Sequence, residues 1–285
     1  MHRGRLLRPH GQFVIPVLLA AAVAAHVACA GKDVRVAWSD LRERYFVGFL
    51  KRNPITATYL GGDGVSAELA DISASLPDVT EAGRADEIAF YRSILADLDK
   101  VDAASLSADD AIDREVVRAQ IRFMLRILVD RRHDQKSVDT YLVAPFRGVD
   151  WQIQQMTELP DGRRGTAEEW DRVTRRVQAI PAYLRAVQAA LQEGIQAGNV
   201  PDQRMVRFDG IDAAPGHAEY FAKALTEQAA GLLKGQPYAE EVMNRLSSAG
   251  REAADSFRRI GSFLEEAYRP FGGTDRYACG APEYD

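Results

Sequence analysis

Few residues of this chain have the type and spacing that catalysis requires. Two histidines, His133 and His217, follow the first thirty residues, and they are too far apart to form an H-E-x-x-H pair on one helix. A catalytic zinc ion generally needs three protein ligands and an open fourth position. No G-x-S-x-G turn occurs, and Cys279 has no histidine near it in sequence to activate its thiol. We therefore predict no catalytic residue and no metal ligand in this chain.

A cluster of three aspartates, Asp109, Asp110 and Asp113, could be taken for a metal site. These residues follow Ser107, a good N-cap, at the start of a periodic apolar segment. Acidic side chains in the first turn of a helix are stabilised by the unpaired backbone N–H groups there. A helix start explains the cluster better than a metal site does.

The segment from Tyr141 to Met156 could bind a ligand, because it is apolar but irregular. A proline and a glycine interrupt it, and Phe146, Trp151 and Met156 offer aromatic and polarizable surface. Such residues could line a cleft for a peptide or a small molecule. Large aromatic side chains are mostly core residues, so packing beneath a neighbouring helix is the alternative.

That neighbouring helix is the most regular element of the sequence, predicted over Thr166–Asn199. Its apolar residues recur at steps of three and four, which match the 3.6-residue α-helical turn; they are Trp170, Val173, Val177, Ile180, Leu184, Val187, Leu191 and Ile195. Thr166 with Glu169 forms a capping-box pattern, and Gly198 provides a stop signal. A helix this apolar on one face must be covered by other helices.

Other periodic segments predict those covering helices and the fold class. They span Asp33–Arg52, a short turn to Leu60, Glu81–Val101, Ser107–Arg132, Pro215–Lys234 and Pro237–Arg269. A brief extended piece is expected at Arg204–Ile211, and other strand signals are nearly absent. We predict an all-α bundle of about seven or eight helices, centred on the Thr166–Asn199 and Pro237–Arg269 helices.

The predicted Ser107–Arg132 helix also has an expected orientation. Its apolar stripe is predicted to face the core; the stripe consists of Ile112, Val116, Ala119, Phe123 and Ile127.

The first thirty residues have the pattern of a secretory signal peptide. Arg3, Arg5 and Arg8 precede an uncharged run, and Ala28-Cys29-Ala30 follows with the small residues that a signal peptidase accepts. The uncharged run is shorter than the roughly 20 residues of a permanent transmembrane helix. We predict residues 1–30 as a signal peptide and residues 31–285 as one exported helical domain, periplasmic or extracellular. A lipid anchor on Cys29 is the alternative, although His26 stands where lipoprotein signals carry an aliphatic residue.

Charge excludes one class of partner. Without the three arginines of the signal, the chain has 33 basic and 41 acidic residues, a net charge of −8. Nucleic-acid binding needs clustered basic residues that neutralise phosphates. We therefore expect no nucleic-acid partner.

Three segments, in order, resemble the amino-terminal half of the bacterial family named domain of unknown function 885. They are FLKRNPITATYLGGDG, LSADDAIDREVVRAQIRFMLRIL and WDRVTRRVQAIPAYLRAVQAALQEGIQAGNVP. The resemblance covers about residues 39 to 270 and is most specific between Ile180 and Pro201. It implies a mostly helical, often exported protein of about twice this length. It also implies an H-E-x-x-P-G-H motif in the later half, typical of zinc-dependent peptidases.

This chain departs from the zinc motif of the family. The segment from Ile211 to His217 echoes it, but isoleucine stands where a metal-binding histidine is needed and Asp212 where the general base is needed. The resemblance therefore predicts the cleft-shaping half of a larger zinc-hydrolase-like fold, inactive alone because the zinc is bound elsewhere. A self-sufficient periplasmic binding or scaffold domain and a lipoprotein anchored through Cys29 are the alternatives.

Overall fold

A computed structural model describes residues 37–158 and 162–272, and these residues form α-helices, 3₁₀ turns and π-helical turns without a strand. The predicted all-α fold class is therefore confirmed. The predicted signal peptide, Cys29 and Cys279 lie outside the described residues.

The helices follow one another in chain order with short connections. They are α1 (Trp38–Arg52), α2 (Pro54–Tyr59), α3 (Glu81–Leu98), α4 (Ala108–Leu125), α5 (Val138–Thr157), α6 (Ala167–Ala197), α7 (Gln203–Met205), α8 (Ala214–Glu219), α9 (Leu225–Leu233) and α10 (Ala239–Tyr268). Three π-helical turns extend or join them, at Arg126–Asp130, Val206–Ile211 and Tyr220–Ala224. The second and third of these turns divide the segment after Pro201 into more pieces than the sequence predicts.

The prediction of an extended segment at Arg204–Ile211 is wrong, because this segment is helical. The Asp202 side chain accepts a hydrogen bond from the Arg204 backbone N–H at 2.8 Å and thereby starts α7. Gly210 lies so close to Leu264 that a built Cβ atom would be 2.8 Å from the leucine side chain. A local cap and a tertiary contact thus override the weak strand signal.

The prediction for the central helix α6 is confirmed at both ends and along its buried face. The Thr166 backbone N–H donates to Glu169 Oε2 at 2.7 Å, and the Glu169 N–H donates to Thr166 Oγ1 at 3.2 Å. Gly198 ends the helix with a φ of 69°, a conformation that glycine adopts without strain. The apolar face of α6, from Trp170 to Leu191, is buried against α5 and α10 in the main core.

A smaller core lies between α1, α3 and α4, and it shows that the orientation predicted for α4 is wrong. Ile112, Val116 and Phe123 are 63%, 58% and 60% exposed, whereas Ile121 is fully buried. The helix carries a second apolar stripe, and that stripe faces α1 and α3; it comprises Val117, Ile121, Met124, Leu125 and Leu128. The pattern of α4 allows either orientation, and only the neighbouring helices choose between them.

Polar contacts hold α4 in the observed orientation. The Trp38 indole N–H donates to Asp110 at 2.9 Å, and the Arg114 guanidinium donates to the Leu98 carbonyl oxygen at 3.0 Å. Both contacts lie on the side of α4 that faces the small core. As a result, the predicted apolar stripe on the opposite side of α4 faces solvent.

Candidate functional site

A cleft of about 530 Å³ opens between α2 and α5. We call it the Trp151 cleft. Its walls come from the start of α2, the outer face of α5, Pro77 and the turn at Asp209; the residues that line it are Asn53, Ile55, Thr56, Pro77, Asp139, Thr140, Val143, Ala144, Arg147, Trp151 and Asp209. Most of one wall therefore comes from the segment that the sequence marks as a ligand surface.

An aromatic pair forms one edge of the Trp151 cleft. The rings of Trp151 and Tyr59 have their centroids 4.9 Å apart at an interplanar angle of 51°. The Gln155 side chain donates to the Tyr59 carbonyl oxygen at 2.6 Å and thus ties the end of α2 to α5. Tyr59 remains 59% exposed and does not line the cleft itself, so it extends the apolar surface of Trp151 beyond the cleft.

Three charged side chains of the cleft have no ionic partner among the described residues. They are Asp139, Arg147 and Asp209, and none of them forms a salt bridge or side-chain hydrogen bond in the described part of the chain. Arg147 and Asp209 are exposed, and Asp139 is half-buried. One cation and two carboxylates beside an apolar wall can bind a ligand that carries both charges, such as a short peptide.

A buried arginine on α6 positions both walls of the cleft. Arg176 is fully buried, and its guanidinium donates to Thr58 Oγ1 and the Gly148 carbonyl oxygen, both at 2.7 Å. Its Nε–H donates to the Ser75 carbonyl oxygen at 2.9 Å, close to Pro77 in the chain. One side chain thus ties α2, α5 and the segment before Pro77 to α6.

The charge of Arg176 is stabilised by neutral oxygens and not by a contacting carboxylate. Burial lowers the pKa of Arg176 to about 10, well below its usual range, and the more distant charge of Asp63 partly offsets this. The motifs and periodicities of the sequence do not single out Arg176. A signal was present, because an arginine between Val173 and Val177 falls at the edge of the buried face of α6.

The three residues predicted to line a cleft are not brought together. Trp151 lines the Trp151 cleft, Phe146 packs edge-to-face on Tyr220 at 4.7 Å between centroids, and Met156 is 4% exposed in the main core. These residues are five positions apart on α5, so successive ones point in different directions around the helix. Ligand binding by Trp151 stays a prediction.

The two histidines lie on different elements. His133 begins a 3₁₀ turn after α4, whereas His217 lies in α8 with its ring 5.8 Å from Phe146 and 5.2 Å from Phe257. Burial lowers the pKa of His217. Within residues 37–158 and 162–272, no group of three or more His, Cys, Asp or Glu side chains is placed to hold a metal ion. Over the same residues, no helix has the length and hydropathy to span a membrane.

A larger groove of about 740 Å³ lies between α1 and α3, but each of the three cations that line it, Arg44, Lys51 and Arg52, already has an ionic partner. The Arg52 guanidinium lies 2.6 Å from Asp86 and 4.1 Å from the ring centre of Phe90, and Lys51 lies 3.7 Å from Glu68. A ligand would have to compete with these pairs. The Trp151 cleft is therefore the better candidate.

Comparison with known proteins places the chain in a broader context. A family model described as "Bacterial protein of unknown function (DUF885)" matches residues 54–285. No curated protein matches. A solved structure from Shewanella oneidensis, described as a candidate lipoprotein of unknown function, superimposes with a TM-score of 0.63 at 18% identity. The alignment covers 85% of this chain and 39% of that chain, so the present chain spans less than half of its length.

Proposed function

We infer a function from the family to which this chain belongs, the bacterial proteins of unknown function called DUF885. We propose that the chain is the cleft-shaping helical part of an exported, metallopeptidase-like protein. In this proposal the Trp151 cleft binds a peptide, and the catalytic zinc is bound by residues that this chain does not supply.

One observation carries the proposal: the unpaired charges of Asp139, Arg147 and Asp209 lie beside an apolar wall that ends at Trp151, whose ring packs against the exposed Tyr59. Arg147 and Asp209 are exposed and Asp139 is half-buried, so a ligand that enters the cleft can pair with all three without breaking an existing ion pair. An arginine can bind a peptide carboxylate with two hydrogen bonds, and the two carboxylates can bind an amino group. The apolar wall between them suits an aliphatic or aromatic side chain.

Two further facts support assignment to a larger protein. The solved relative is much longer than this chain, because the alignment covers only 39% of it. Because this chain resembles the amino-terminal half of the family, we expect the zinc motif to lie outside it. We therefore expect residues 31–285 alone to bind a peptide without cleaving it.

Calorimetric titration with a short peptide tests the binding proposal. The probe is a four-residue peptide of one lysine, two leucines and one phenylalanine with free termini. We expect weak but measurable binding, which Trp151→Ala and Arg147→Glu each reduce by about tenfold or more. The matched control is Phe46→Ala, which removes a 43% exposed aromatic side chain outside the cleft. Equal loss in the control, or no binding by the unaltered chain, would contradict the proposal.

A separate experiment tests the expected absence of catalysis. Zinc is titrated into the same chain by calorimetry, and hydrolysis of the peptide is followed with and without a chelator. A single tight zinc site together with cleavage that the chelator abolishes would refute the expectation. Loss of peptide binding in the first experiment leaves this result unaffected, so the two parts of the proposal fail independently.

Two alternatives keep specific support. The solved relative is described as a candidate lipoprotein, and Cys29 follows small residues, so the mature chain could carry a lipid on Cys29. Mass spectrometry of the mature amino terminus decides this, because a free Gly31 excludes the lipid. A self-sufficient binding or scaffold domain predicts a monodisperse protein with one cooperative melting transition. Binding of a hydrophobic dye by the folded chain would argue against it.

A further inference from the structure

The outward face of α4 carries a continuous apolar stripe that nothing in the described part of the chain covers. Ile112, Val116 and Phe123 are 63%, 58% and 60% exposed, and Ala119 between them is also exposed. We call these four residues the α4 stripe. They follow one another at steps of four, three and four along about 16 Å of helix. Single exposed apolar residues are ordinary, but an aligned set marks an interaction surface.

The opposite face of α4 is already used, so rotation of the helix cannot bury the stripe. Ile121 and Leu128 pack into the small core with α1 and α3. Arg118 on the same side lies 2.6 Å from Asp99, at the end of α3. A partner for the α4 stripe would therefore have to approach from outside the described part of the chain.

The charges beside the stripe indicate what approaches. Among the exposed charged residues, the acids lie in the first half of α4 and the bases in its second half or just past its end; they are Asp109, Asp113 and Glu115, then Arg122 and Arg126. Two of the acids also have a partner within the chain, since Glu115 lies 2.8 Å from Arg114 and Asp113 lies 4.0 Å from Arg42. Arg122 and Arg126 form no salt bridge with any residue that the structure describes. A second α4 running antiparallel to the first would place the acidic half of each helix beside the basic half of the other. The two helix dipoles would then also oppose each other favourably.

We propose that the α4 stripe is the contact surface of a symmetric dimer between two copies of this chain, with the two α4 helices antiparallel. The two-fold axis passes between Val116 and Ala119. Ile112 of one copy then lies against Phe123 of the second copy, and Glu115 lies beside Arg122 of the second copy. Such an interface is self-complementary, as a two-fold axis requires. The inference does not depend on the function proposed for the Trp151 cleft.

The area of the stripe sets the expected affinity. Three large side chains and one alanine expose a few hundred Å² at most, whereas standard stable interfaces bury about 800 Å² per partner. The dimer should therefore be reversible, with a dissociation constant on the order of 10–100 µM. A concentration series is needed to observe it.

Sedimentation velocity of the purified chain from about 5 to about 500 µM tests the dimer. We expect a shift from monomer to dimer over this range, which Val116→Asp and Phe123→Asp each weaken by more than about tenfold. Val65→Asp is the matched control, because Val65 is 47% exposed and lies outside the stripe. A thermal melt of each variant confirms that it is folded. A monomer at every concentration, or equal weakening by the control, would overturn the proposal.

Cysteine cross-linking and charge reversal test the geometry. In a Cys279→Ser background, Ala119→Cys should form a disulfide-linked dimer on mild oxidation, and Ala89→Cys on the exposed side of α3 should not. Glu115→Arg should weaken the dimer, and adding Arg122→Glu should restore it. A dimer that Ala119→Cys cannot link, or that the second reversal does not restore, would overturn the antiparallel arrangement. A monomer that instead binds lipid vesicles through the stripe would overturn the second copy as its occupant.

Discussion

Replacement of Arg176 by methionine should destabilise the protein more than replacement of the partly exposed Arg172 on the same helix. Arg176 makes three hydrogen bonds of 2.7 to 2.9 Å, to Thr58, Gly148 and Ser75. Hydrogen bonds from a charged donor contribute about 1.5–3 kcal/mol each. Methionine fills a similar volume but donates none of them, so three segments lose their common partner.

The burial of the charge reduces this loss, and its size can be estimated from the pKa. The lowering of the Arg176 pKa to about 10 corresponds to a cost of about 3 kcal/mol for the charged form in the folded state. Methionine removes this cost. Three bonds of about 2 kcal/mol less about 3 kcal/mol give a net destabilisation of about 3 kcal/mol. Replacing a buried charge by an apolar side chain can even stabilise a protein, so the sign of the change in the free energy of unfolding tests this estimate.

Urea unfolding followed by circular dichroism measures the effect as a change in the free energy of unfolding. For a slope of about 2–3 kcal/mol/M, Arg176→Met should lower the midpoint by about 1 M. The control is Arg172→Met on the same helix, whose Nε lies 3.3 Å from the exposed Asp71 and whose loss should cost less than about 1 kcal/mol. Arg176→Lys should recover little, since one ammonium group cannot reach all three acceptors.

Two results would refute this reasoning. If Arg176→Met and Arg172→Met shift the midpoint equally, the hydrogen bonds of Arg176 contribute no more than a surface ion pair. If Arg176→Met is more stable than the unaltered chain, desolvation of the charge outweighs its bonds. In either case Arg176 would not hold the walls of the Trp151 cleft together.

Three further predictions follow from single positions. Burial lowers the pKa of His217, so the unfolded state binds a proton first as the pH falls, and the free energy of unfolding should decrease below about pH 6.5. His217→Phe should abolish this decrease in thermal melts recorded at several pH values. An unchanged decrease in the variant would contradict the prediction. Gly250→Ala should lower the free energy of unfolding by about 1–3 kcal/mol, because the new Cβ would lie 2.3 Å from the Phe221 carbonyl oxygen. Gly231 has open space around it, so Gly231→Ala should be neutral or stabilising. Equal melting temperatures of the two variants would contradict this prediction. Thr166→Ala should cost about 1 kcal/mol in urea unfolding through loss of the α6 N-cap, whereas Thr166→Ser should not, and equal losses would count against the cap.

Several features of the fold could be predicted from sequence because their causes are local. The N-cap of α6 and its stop at Gly198 depend on residues within one or two turns. The buried face of α6 is unambiguous because its other face is charged, so only one orientation hides the apolar residues. For α4 the same rule failed, since two apolar stripes compete and the sequence does not rank them.

The candidate site shows the same limit more strongly. Trp151 was singled out from its type and its irregular surroundings, yet its partner Tyr59 is 92 positions away in the chain. Arg176 bonds Thr58 across 118 positions and Ser75 across 101. No periodicity connects residues so far apart. A buried arginine is satisfied only by oxygen atoms that the folded chain brings to it, so its partners cannot be read from spacing.

The sequence by itself thus determined the helical class, the central helix and the residues suited to a ligand surface, since periodicity and capping act within a few turns. Only the tertiary structure decided which stripe of α4 faces solvent, which α5 residue reaches the Trp151 cleft, and what holds the walls of that cleft. These outcomes depend on packing and hydrogen bonds between segments far apart in the chain, and such contacts exist only once the helices have met.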